Sequence, residues 1–214
     1  ALILHEQALA LRRELGDKAG IATSLVNMGH AAMCRGDYPA ARAFLLECAS
    51  LRRELGDTYG IALALGNLGE VALAEQDEAS ARGYLEESLS LRRELGDERG
   101  IAFCLIRFAN LERASCNYVK ARDLYREGLI LYRKVGDRRA IATALQQIAE
   151  LLAAMGQTVA AVRMWSTADT LCKALGAPIA PSYRLRYEQA LAAARKELKD
   201  DRFQRAWAGG KTIT

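Results

Sequence analysis

The chain has 214 residues, 51% of them hydrophobic and 7% aromatic, and its 30 Lys and Arg exceed its 26 Asp and Glu by only four charges. That length buries a sizeable core, and no run reaches the roughly 18 uncharged apolar residues of a membrane span, so no membrane partner and a cytoplasmic location are expected. Residues 182–214 hold eight Lys and Arg against four Asp and Glu, which leaves the other 181 residues with 22 of each sign. A body without net charge argues against sequence-independent phosphate binding.

The opening Ala1-Leu-Ile-Leu-His5 has neither the basic stretch nor the small-residue cleavage site of a secretory leader. Cys34, Cys48, Cys104, Cys116 and Cys172 are odd in number and include no CxxC pair. They read as small core hydrophobes in a reducing compartment.

One heptad organises everything that follows. Leu11-Arg-Arg-Glu-Leu-Gly-Asp17 recurs unchanged at 51–57 and at 91–97, drifts to Leu131-Tyr-Arg-Lys-Val-Gly-Asp137, and is worn down at Leu171-Cys-Lys-Ala-Leu-Gly176, always 40 residues on. Ile21, Leu25 and Ala41 head further columns in the same register. The chain therefore divides into 1–16, a second helix whose first is missing; the full units 17–56, 57–96, 97–136 and 137–176; and 177–214, a capping helix and tail. Leu2, Leu4, Leu9 and Leu11 would face an absent neighbour. The chain is thus expected to be a piece of a longer array, able to self-associate through that first helix.

Within each unit two helices are expected. Asp17, Asp57, Asp97 and Asp137 follow a glycine and precede an apolar-periodic stretch, which makes the glycine a left-handed end residue and the aspartate the next N-cap. Ile21, Leu25, Met28 and Ala32 then step at helical spacing. Gly36-Asp37-Tyr38 repeats the stop-and-cap signal, with Asp77 and Asn117 in the same place, and the second helix carries Ala41, Leu45, Cys48 and Leu51 on one face. Gly29 and Gly69 lie in mid-helix, where glycine costs about 1 kcal/mol against alanine; close helix approach explains them.

The order Leu25, Met28-Gly29, Ala32, Gly36-Asp37-Tyr38, Ala41, Leu45, Cys48 resembles the tetratricopeptide repeat in a longer, 40-residue form. The departures are an aliphatic Leu25 column, and Gln76 and Cys116 in place of the turn glycine, which would loosen those loops. The resemblance implies an all-α, right-handed superhelix whose first helices line a concave groove. By column the lining would be Thr23, Val26, Asn27 and His30; Leu63, Asn67 and Glu70; Phe103, Ile106, Arg107, Asn110 and Arg113; and Gln146, Gln147 and Glu150. Asn27, Asn67, Arg107 and Gln147 share one column and could hold the backbone of an extended protein or peptide segment, or a small effector; equally, they are ordinary half-exposed helix residues. The first two units lack the lysines and arginines of the two-carboxylate clamp found in chaperone-type members.

After the last heptad, Pro178 and Pro181 break the period, Ser182 is placed to cap a helix through Leu198, and Asp200–Trp207 reads as a short further helix. Tyr183, Leu185, Tyr187, Leu191 and Ala194 would form the apolar side of that cap. The stretch from Ala161-Val-Arg-Met-Trp165 through Ala206-Trp207-Ala208 looks like the end of bacterial LuxR-type regulators and related predicted ATPases. This implies the sensor or oligomerisation region of a signalling regulator. A peptide-gripping adaptor like those of animal cell polarity, and nucleic-acid binding through the Arg-Arg triplets, remain as alternatives; the plainer reading of the triplets is a solvated helix face with i,i+3 and i,i+4 charge pairs.

No seat for catalysis is visible. His5 and His30 have no metal-ligand neighbour at helical spacing. Gly209-Gly-Lys-Thr212 lacks the earlier glycine of a phosphate loop, since Arg205 stands there. No enzyme activity, metal or cofactor is expected.

Overall fold

A computed structural model describes the backbone of residues 2–177 and 181–211 and the side chains of 7–177 and 183–211. The expectations placed on the side chains of Leu2, Leu4 and His5, on Pro178 and on Thr212 lie outside the described residues; the Ser182 cap is corrected, because the helix already begins at Pro181 and Ser182 is its second residue.

Among the described residues the regular structure is entirely helical: α1 (Leu2–Glu14), α2 (Lys18–Arg35), α3 (Tyr38–Glu54), α4 (Thr58–Ala74), α5 (Glu78–Glu94), α6 (Glu98–Ala114), α7 (Tyr118–Lys134), α8 (Arg138–Ala154), α9 (Thr158–Ala174), α10 (Pro181–Leu198) and α11 (Asp200–Gly210). The chain forms two compact units, residues 1–107 and 108–214, with the residues of α6 shared between them.

The stop-and-cap signals set these boundaries. Gly16, Gly56, Gly96, Gly136 and Gly176 all have φ between 58° and 71°, and the amides of Gly20, Gly60, Gly100 and Ala140 donate to the Asp17, Asp57, Asp97 and Asp137 carboxylates at 2.8–2.9 Å. Gln76 and Cys116 correct one expectation: they adopt φ of 62° and 61° and keep the glycine geometry instead of loosening it. The Gln76 and Asp77 amides still reach the Leu73 and Ala72 carbonyls, as Gly36 and Asp37 reach Met33 and Ala32. The turn's hydrogen bonds outweigh a left-handed penalty of about 1–2 kcal/mol per residue. Asn117 is a second correction. It occupies the cap position without capping, because its amide is turned to Glu112 Oε2 at 3.0 Å.

In the first unit the hairpins close where the sequence places glycine. A β-carbon at Gly29 would lie 3.0 Å from Leu45 Cγ, and one at Gly69 would lie 2.7 Å from Leu85 Cγ. The leucines enter the space the missing side chains leave, and Leu25, Leu45, Leu65, Leu68 and Leu85 are fully buried. Leu9 is buried with Ile21 and Leu25, so it packs on α2 and does not face an absent neighbour; Leu11 is exposed.

In the second unit Trp165 is the largest buried side chain, edge-on to Tyr187 at 6.4 Å between ring centres. The end of α11 packs on α9: the Ser166 and Thr167 hydroxyls donate to the Trp207 and Gly210 carbonyls at 2.7 and 2.8 Å, satisfying groups that a helix end leaves open. Gly210 is required because a β-carbon there would strike the Arg163 carbonyl. Helix α11 therefore runs three residues beyond its expected end. On α10, Tyr187, Ala194 and Leu198 face the core, whereas Leu185, expected among them, is 67% exposed. Two residues along a helix turn a side chain by about 200°, which takes Leu185 off the Tyr183–Tyr187–Ala194 stripe.

Cys48 and Cys104 are buried, and burial raises both thiols above their ordinary range. Cys34 and Cys116 are exposed, against the core expectation, because both lie at the turns that end first helices.

The Arg-Arg triplets are built differently from a solvated face. The first arginine of each pair turns inward at the junction between hairpins. Arg12 donates to the Gly20 carbonyl and to Ser24 Oγ, while Arg52 and Arg92 pair with Asp57 and Asp97 at 2.7 and 2.8 Å. Arg92 is only 5% exposed and also donates to Ser88 Oγ at 3.1 Å. The second arginine bridges neighbouring second helices, as in Arg13–Glu47 and Arg53–Glu87, pairs that are exposed and weak. Glycine completes the junction: a β-carbon at Gly20, Gly60 or Gly100 would lie 2.9, 2.5 or 2.6 Å from the Cδ of Arg12, Arg52 or Arg92. At the fourth junction both members change, to Tyr132, which is buried, and Ala140, which is half-buried.

Gly100→Ala is therefore expected to push Arg92 off Asp97 and cost about 1–3 kcal/mol in urea unfolding. Combining it with Arg92→Tyr, the pairing of the fourth junction, is expected to cost less than the sum of the single losses. Strictly additive losses would refute the coupling.

Candidate binding face

In the first unit, α2, α4 and α6 carry the residues expected to line a groove. Asn27 and His30 are exposed, and Val26, Leu63, Glu70, Phe103 and Arg107 are half-buried. Thr23 is exposed but engaged, since it accepts from Arg52 Nη2 of α3 at 3.0 Å. Ile106 is buried and offers no surface.

The face on α4 and α6 is built around one ion pair. Arg107 reaches across to Glu70 Oε1 at 2.9 Å and stacks over Phe103, one turn earlier on its own helix, at 4.7 Å from the ring centre. Arg92 also approaches the Phe103 ring, 5.8 Å from its centre, and both Phe103 and Ser88 Oγ crowd Gly66. One turn before Glu70, Asn67 is 5% exposed, and its Nδ2 is buried without a hydrogen-bond acceptor. Arg107 Nε is likewise buried and unpaired. Such groups normally find a partner. Two donors that lack one therefore lie on α4 and α6, and the Arg107 side chain stacks on the Phe103 ring.

In the second unit the corresponding residues are largely committed to each other. The Asn110 amide donates to Gln147 Oε1 at 3.2 Å, and its own oxygen accepts from the Tyr125 hydroxyl. Arg113 pairs with Glu150 at 3.2 Å, and Arg186 of α10 pairs with the same carboxylate oxygen. Gln146, expected in the lining, is buried with its amide against Cys172 of α9, and its carbonyl accepts from Tyr183. Burial pushes the Tyr183 hydroxyl up to about 12, so it stays protonated as a donor.

Column reading missed the mutual pairing of these residues. Glu70–Arg107, Asn110–Gln147 and Arg113–Glu150 are each 37 residues apart, three short of the repeat. An i,i+37 search for complementary side chains would have found them.

Residues 20–94 match the profile of the tetratricopeptide repeat, a module of protein–protein interaction. The chain is similar in fold to the crystal structure of BtubC (BKLC) from P. vanneervenii, with a TM-score of 0.70 and 16% identity over 99% of this chain and 91% of that one. It is also similar to a putative kinesin light chain with nearly identical TPR-like repeats from Podosopora anserina, with a TM-score of 0.59 and 14% identity over 89% of this chain and 93% of that one. No curated protein matches the sequence. These identities carry the fold, an all-α tetratricopeptide-type solenoid, and not a function. No helix among the described residues is long and apolar enough to cross a membrane.

The unpaired Asn67 amide yields a stability contrast. Asn67→Leu is expected to hold or raise the urea midpoint, because it removes a donor that has no acceptor. Ser88→Ala is expected to cost about 1–3 kcal/mol, because Ser88 Oγ is buried between the Ala62 carbonyl at 2.7 Å and Arg92 Nε. A large loss for Asn67→Leu would show that its amide already has a structural role.

Proposed function

We propose that the chain, whose residues 20–94 match the tetratricopeptide repeat, is a non-enzymatic module that grips an extended segment of a partner protein along the first helices of its repeats. In this reading 17–56, 57–96, 97–136 and 137–176 are the repeats, and 177–214 caps the last of them. The observation that supports it is a pair of donors without acceptors on two of these helices, Asn67 Nδ2 on α4 and Arg107 Nε on α6. A peptide backbone supplies carbonyl acceptors at the spacing of an extended strand, and Phe103 and Leu63 offer apolar surface for its side chains. Asn27 and His30, both exposed on α2, would meet the same segment further along.

The module belongs to the sensory or interaction region of a larger bacterial cytoplasmic regulator. That context rests on the likeness of residues 161–208 to such proteins and on nothing in the geometry. The Arg-Arg triplets give little support to nucleic-acid binding, since Arg12, Arg52 and Arg92 are spent inside the fold and Arg13 and Arg53 are matched by glutamates.

Peptides selected from a random library on the immobilised chain provide the test. Their affinity is expected to fall at least about tenfold in the Asn67→Ala/Arg107→Ala double variant. Undiminished binding by a variant with unchanged circular dichroism would remove the face from consideration.

A further inference from the structure

The last helix pair leaves a cleft that the binding face does not use. It has a volume of about 810 Å³ and lies between α10 and α11. In the first unit the hairpins close by seating a leucine on a glycine. Here the small end of α11, at Gly210, packs on α9 instead, and the two helices meet at Arg195, which stacks on Phe203 at 4.8 Å and lies 3.4 Å from Asp200. The wedge between them stays open, with Leu191, Phe203 and Trp207 in its wall. The Phe203 and Trp207 rings are stacked, 6.0 Å apart and 14° from parallel; Phe203 is buried beneath Arg195, and half-buried Leu191 and Trp207 supply the apolar surface of the wall.

Its rim is basic. Arg195, Lys196 and Lys199 line the cleft against Glu188 and Asp200, and the whole net charge of the chain resides in residues 182–214. Among the described residues neither Lys196 nor Lys199 has a carboxylate partner, and both are exposed. An apolar floor with unmatched cations at its edge suits an amphipathic helix whose apolar stripe is flanked by carboxylates. A nucleic-acid strand suits it less well, because its phosphates would meet Glu188 and Asp200 and leave Leu191 uncovered.

The geometry points to the α10–α11 cleft as a second docking site, for an acidic amphipathic helix of a partner protein. The helix seats its apolar stripe on Leu191 and Trp207, with Phe203 buried behind them, and its carboxylates on Lys196 and Lys199. This site is separate from the face on α4 and α6.

The test uses the full chain and a fluorescein-labelled synthetic helix carrying Leu and Phe at i, i+3, i+4 and i+7 with glutamates on either side. Fluorescence anisotropy is expected to show saturable binding that K196E/K199E weakens at least about tenfold, with the urea midpoint unchanged because both side chains are exposed. The N67A/R107A variant is expected to bind the probe like the parent, which separates this site from the inner face. A probe with lysine in place of glutamate is expected not to bind. The proposal is overturned by a flat titration, by equal binding to K196E/K199E, or by equal binding of the lysine probe. It is also overturned if a single-stranded oligonucleotide binds more tightly than the peptide and loses that binding in K196E/K199E, which would assign the cleft to nucleic acid.

Discussion

Where one hairpin of the first unit hands over to the next, an arginine must be buried, and most of the local structure follows from how its charge is satisfied. Taking a guanidinium out of water costs several kcal/mol unless an anion and further acceptors meet it. At Arg92 they do: Asp97 supplies the anion, Ser88 Oγ accepts from Nε, and the Ala62 carbonyl lies at 3.5 Å. The same aspartate caps the next helix through the Gly100 amide. One carboxylate thus both starts a helix and neutralises an arginine in the last turn of the one before. The arrangement leaves no room for a side chain at Gly100, which is why a poor helix former stands in the first turn.

This junction also shapes the candidate face. Arg92 continues past Asp97 to the edge of Phe103, and Arg107 covers the ring from its own helix before turning to Glu70. Two cations therefore approach one aromatic ring, and each is matched by a carboxylate, Asp97 or Glu70. What remains unsatisfied is small and specific, an amide nitrogen of Asn67 and the Nε of Arg107. A face of this kind attracts by supplying hydrogen bonds to a neutral backbone and gains little from long-range charge. The basic cleft between α10 and α11 differs on both counts.

Much of this was legible in the sequence, for identifiable reasons. Glycine followed by aspartate is a local signal, so Gly16-Asp17 and its copies located the helix ends without knowledge of the rest of the chain. Gly29 and Gly69 suggested close packing and have it, whereas Gly83, also in mid-helix, faces open space. The partners of charged residues were not legible in the same way. Arg92 and Arg93 look alike in the sequence, and only the path of the neighbouring helix buries one and exposes the other. The same holds for Arg107, whose column suggested a free donor while its partner Glu70 stood 37 residues earlier, out of phase with the repeat. One trace of the buried arginine was present all along: the arginine column and the glycine column change together, at Tyr132 and Ala140. A paired change is the mark of contact, and it can be read inside a single chain when the chain repeats itself.

That paired change bears on how such an array can grow or shrink. The heptads ending at Asp17, Asp57 and Asp97 are identical, and each is followed three residues later by glycine. A genetic exchange that deletes or duplicates a 40-residue block among them rejoins the same arginine to the same glycine. An exchange that joined one of these heptads to the fourth block would set an arginine against Ala140, a mismatched seam. The first three seams are interchangeable parts, and the fourth has acquired a thread of its own.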